Sequence, residues 1–72
     1  MPYAFEFFRK TKADLAGEVV RQHQGEFPDE ESAKKHGEQT VYADSSLDGF
    51  RLYNASGIPV FTFSNRTGPR DA

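Results

Sequence analysis

The dipeptide Pro28-Asp29 constrains this chain more than any other feature, because the residues on either side of it follow different periodicities. Proline holds the residue before it out of the helical region, so Phe27 is extended. Asp29 is a strong N-cap whose carboxylate accepts from the free amides of a first helical turn. Glu30 and Glu31 then fall where negative charge meets the positive end of the helix dipole, and each has a lysine four residues on, Lys34 and Lys35. The acids and lysines of residues 29–35 thus each have a helical role. At 100° per residue, Ala33, Gly37, Thr40, Val41 and Asp44 share one face. A glycine inside a helix costs about 1 kcal/mol against alanine, so Gly37 points to close packing on something bulky. The helix is expected to end near Tyr42 or Ala43, with residues 44–49 as a loop.

The bulk lies in the flanking segments. Upstream, Tyr3, Phe5 and Phe7 alternate with Ala4 and Glu6, the pattern of a strand with one buried face. Phe8 must point to the opposite face. Residues 11–17 read as a loop. The stretch EVVRQHQGEF, opening on Val19 and Val20 with a polar interior and Gly25, reads as an edge strand. Downstream, GFRLYNASGIPVFTFSN is two alternating runs joined by a turn rich in Asn, Ser and Gly, a hairpin signature. Phe50, Leu52, Phe61 and Phe63 are expected to meet Tyr3, Phe5, Phe7 and Phe27 under the helix. Arg51, Tyr53, Val60 and Thr62 are expected on the other face with Phe8. The order is strand, strand, helix, strand, strand: an α+β domain, ββαββ, with one helix across a four-stranded antiparallel sheet. Residues 1–64 form this single domain and residues 65–72 a tail.

A chain of 72 residues buries only about 60% of the surface its unfolded form exposes. It has no cysteine, so no disulfide supports it, and aromatic packing by seven Phe and three Tyr, or a partner, must do so. A net charge of −2 gives no global attraction to nucleic acid or anionic membranes. No basic segment followed by an apolar one opens the chain, and no apolar run nears the roughly 20 residues that span a bilayer, so a soluble cytoplasmic protein without membrane contact is expected. The triplets Asn54-Ala55-Ser56 and Asn65-Arg66-Thr67 read as turn chemistry rather than glycan acceptors.

In its opening Met1-Pro2, its aromatic first strand, the step Gly25-Glu26-Phe27-Pro28-Asp29 into a helix containing Ala33, and a closing hairpin with Phe50, Leu52, Asn54 and Gly57 in register, the chain resembles a family of short bacterial proteins classed as a domain of unknown function. The likeness covers roughly residues 1–64. It implies the ββαββ fold and carries no activity with it.

Catalytic chemistry finds no foothold. Glu30 and Glu31 are about 100° apart on a helix, the wrong disposition for two carboxylates flanking a bond. There is no G-x-S-x-G, phosphate-binding glycine loop or cysteine nucleophile. His36 has no second metal ligand three or four residues away, so His23 and His36 read as ordinary surface histidines, and no metal or cofactor is expected. The candidate site is the sheet face away from the helix: Phe8, Arg51, Tyr53, Val60 and Thr62. An aromatic and basic surface of this kind suits a protein partner, a second copy of the chain included. The alternative is stacking of single-stranded nucleic acid, which the acidic balance opposes. The expected function is a small non-catalytic protein-interaction module.

Overall fold

The computed structural model describes residues 1–10 and 17–65, and the loop and tail expected at residues 11–16 and 66–72 lie outside them. Strands β1 (Pro2–Arg9) and β2 (Glu18–Glu26) precede helix α1 (Glu30–Ala43), and β3 (Gly49–Tyr53) and β4 (Pro59–Ser64) follow. The strands form one antiparallel sheet in the order β2-β1-β3-β4, so the two aromatic segments distant in sequence pair at its centre.

The helix begins where its cap chemistry predicts. Asp29 is extended and its Oδ1 accepts from the Ser32 N–H at 2.8 Å. That bond, followed by the Ser32 side chain, holds the Asp29 carboxyl below its ordinary range. Glu30 and Lys34 close to 3.2 Å, and Lys35 is exposed. Ala33, Gly37 and Val41 form the buried face, which packs chiefly on β3. A Cβ at Gly37 would stand 2.5 Å from Cζ of Phe50, so only glycine lets the helix come this close.

Beneath it, Tyr3, Phe5, Phe7, Phe50 and Leu52 form the core with Leu47, and Phe27, Phe61 and Phe63 pack at its margins. Full burial of each Phe contributes about 1.5–3 kcal/mol, which is how a chain without disulfides sustains a fold of this size. Phe5 and Phe7 stack at 5.8 Å, and each lies 5.9 Å from Phe50.

Three placements depart from the sequence pattern. Residues 44–49 are not simply a polar loop: Leu47 and Asp48 are buried. Asp48 accepts from the Lys10 N–H through Oδ2 at 2.8 Å, donates its own N–H to Phe8 O, and accepts from the Asn65 N–H, so it ties the ends of β1 and β4 together. Asn65, the first residue of the expected tail, is therefore held to the domain. Phe8 faces away from the helix as expected, but it is 2% exposed. Val60 does not join it. Leu52 pairs with Phe61 and Tyr53 with Pro59, which leaves Val60 as the extra residue of a bulge, packed against the helix-side core.

Candidate functional site

The sheet face opposite α1 is built from alternate residues of each strand. The register sets Ala4 between Gln24 and Tyr53, Glu6 between Gln22 and Arg51, and Phe8 between Val19 and Gly49, with Thr62 beyond Arg51. Tyr53 donates its hydroxyl to Glu6 Oε1 at 2.6 Å, and Arg51 Nη1 lies 3.9 Å from the same oxygen. The hydrogen bond to Glu6, then burial, then the carboxylate charge push the Tyr53 phenol above its ordinary value, with Arg51 opposing. Arg51 also lies over the Phe8 ring, its Cζ 4.8 Å from the centroid. Gly17, in the left-handed region at φ 104°, and Gly49 press on the other parts of that ring: a Cβ on either would come within 2.6 Å of a Phe8 carbon.

Of the five residues selected from sequence, Phe8, Arg51, Tyr53 and Thr62 share this face and Val60 leaves it. Phe8 is a second small core rather than a surface anchor, and no base or partner side chain can lie on a ring already covered. Arg51 and Tyr53 are half-buried, and Thr62 is exposed. What the face offers is a polar network around Glu6. The small side chain of Ala4 leaves a shallow depression of about 300 Å³ between Glu6, Gln22, Gln24 and Tyr53.

The edge of the sheet beside it is the more accessible feature. β2 is nine residues long, every residue of it but Gly25 is exposed, and a bulge at Val20 leaves residues 21–26 in unbroken register with β1. Met1 and Phe27 exchange both backbone hydrogen bonds, Met1 N to Phe27 O at 2.7 Å and Phe27 N to Met1 O at 3.0 Å. In an antiparallel ladder such pairs alternate with pairs whose backbone groups point apart. Continuing the register, Tyr3–Gly25, Phe5–His23 and Phe7–Arg21 are hydrogen-bonded pairs. The intervening Gln22, Gln24 and Glu26 therefore turn N–H and C=O outward, away from β1. Sequence polarity identified β2 as an edge, but which residues face outward required the register.

The two histidines also come together: His23 on β2 and His36 on α1 have ring centroids 5.6 Å apart. Among the described residues no group of three or more His, Cys, Asp or Glu is placed to hold a metal, and no helix is long and apolar enough to cross a membrane. No protein-family model, curated protein or solved structure matches the chain.

Proposed function

We propose that this chain is a non-catalytic protein-interaction module that receives an extended segment of another protein along the outer edge of β2. The observation that carries this reading is the row of outward backbone groups at Gln22, Gln24 and Glu26 on a nine-residue exposed strand. Such an edge is a template for strand addition, in which main-chain hydrogen bonds supply affinity and alternate side chains supply selectivity. The opposite edge is a poorer template, because β4 has six residues and opens on Pro59, whereas the bulge of β2 at Val20 leaves residues 21–26 in unbroken register with β1.

Charge speaks against a second copy as the occupant. Antiparallel self-pairing that uses all nine residues, centred on Gln22, would set Glu18 against Glu26 at both ends. Centring it on Arg21 would set two arginines against each other. Like charges directly opposite destabilise a strand pair. The complementary occupant is a β-prone segment with a basic residue facing Glu18 or Glu26.

A displayed library of nine-residue peptides, selected on the full chain, tests this. Enriched peptides are expected to be basic and β-branched, and to shift the amide NMR signals of Gln22, Gln24 and Glu26. Gln24→Pro removes an outward N–H and leaves the ladder to β1 whole. It should keep the fold and weaken binding about tenfold. Selected peptides that bound Gln24→Pro as tightly as the native chain would overturn the edge reading.

A further inference from the structure

We infer that His23 and His36 together form a two-imidazole site for a borderline divalent transition cation of the zinc, nickel and copper(II) class, bridging the edge strand to the helix. Two histidines on one zinc, each nitrogen about 2.0 Å from the metal at a near-tetrahedral angle, have ring centres roughly 5 Å apart. The observed ring separation of 5.6 Å lies close to that value.

Both rings are presented from fixed backbone. His23 is held by its ladder pairing with Phe5, and His36 lies in the middle of α1, where its carbonyl accepts from the Thr40 hydroxyl at 2.9 Å. One wall is apolar and aromatic. The Phe5 ring lies 5.8 Å from His23 and 5.6 Å from His36, and the Phe27 ring lies 5.2 Å from His36. A wall of this kind restricts the orientations of the imidazoles and shields the site from water on one side. His23 is exposed, so the outer side is open to the waters that would complete the coordination. Gly25 keeps space beside the histidine nitrogen: a Cβ there would stand 3.4 Å from His23 Nε2 and 3.1 Å from Phe27 Cε2. Imidazole nitrogen selects zinc, nickel and copper(II) over magnesium and calcium, which require oxygen ligands.

The inference is independent of strand addition at β2, since His23 faces the helix and its backbone groups face β1. It is tested by adding zinc chloride to the full chain at pH 7.5, at a tenfold excess over the protein. The melting temperature should rise by about 5 °C, EDTA should reverse the rise, and magnesium should give none. In NMR spectra the ring signals of both histidines should move together and saturate at one zinc per chain. His23→Gln, at an exposed strand position, and His36→Gln should each abolish the zinc effect. No shift with zinc, nickel or copper(II), or a shift that survives either substitution, would overturn the inference and leave the pair as an aromatic contact only.

Discussion

On one side of the sheet, Phe5, Phe7 and Phe50 lie under Ala33, Gly37 and Val41; on the other, Phe8 is buried to the same degree with no helix above it among the described residues. The first side is closed by shape, large rings on the sheet against a helix that presents almost no side chain. The second, among the described residues, is closed by two glycines against the ring and a guanidinium laid over it, with Glu6 and Tyr53 completing a polar lattice. A sheet can thus bury an aromatic on each face while, among the described residues, only one face carries a helix. Among the described residues this polar lattice and Val19 make up much of the second face, with no exposed aromatic on it, which favours the edge of β2 as the proposed place for a partner.

Three measurements can break or sharpen this contrast. The largest effect is expected at Phe8. If its ring is a second core, Phe8→Ala lowers the unfolding free energy by about 3–5 kcal/mol in urea titration, as truncation of a buried phenylalanine does. A loss below about 0.5 kcal/mol would return Phe8 to the surface and erase the difference between the faces. On the helix side, Gly37→Leu is expected to cost about 2–3 kcal/mol by driving a side chain into Phe50, while Lys35→Leu changes stability by less than about 0.5 kcal/mol. Equal effects would mean that close approach of α1 to β3 is not what seals that side.

The smallest effects are electrostatic and carry opposite signs in pH. Tyr53→Phe removes the hydrogen bond to Glu6 and should cost about 1 kcal/mol at neutral pH. Since folding raises the Tyr53 pKa, its contribution is whole below the ordinary tyrosine value and is lost as pH rises through the folded one. Asp29 behaves in reverse. Its folded pKa is lowered, so its contribution is present above the ordinary carboxylate value of 3.8 and is lost as pH falls through the folded value. Urea midpoints of the native chain and Asp29→Ala should therefore converge in acid, and those of the native chain and Tyr53→Phe in alkali. A gap that stayed constant across pH would remove the corresponding bond from the account.

Much of this architecture is legible in local signals. The Pro28-Asp29 step marks the start of α1, because a cap and a restricted dihedral act within a few residues. Asn54 announces the hairpin turn, where its Oδ1 accepts from the Ser56 and Ile58 N–H groups. The spacing of Ala33, Gly37 and Val41 identifies the buried helix face, and alternation identifies Phe5, Phe7, Phe50 and Leu52. Side-chain period alone determines these. The candidate site is less legible. Alternation places Val60 with Thr62 and Phe8, but a one-residue bulge turns Val60 to the core, and nothing in a strand's composition marks where an extra residue will sit.

The sequence by itself determined the element order, the helix boundaries and the aromatic face, because caps, turns and periodicity are properties of neighbouring residues. Tertiary structure decided the rest: that Phe8 is covered, that Asp48 ties two strand ends, that Gln22, Gln24 and Glu26 turn their backbone outward, and that His23 meets His36 across thirteen positions. Each of these depends on register between distant segments. Register is settled by the summed packing of the whole sheet, and a shift of one residue reverses every side chain it carries.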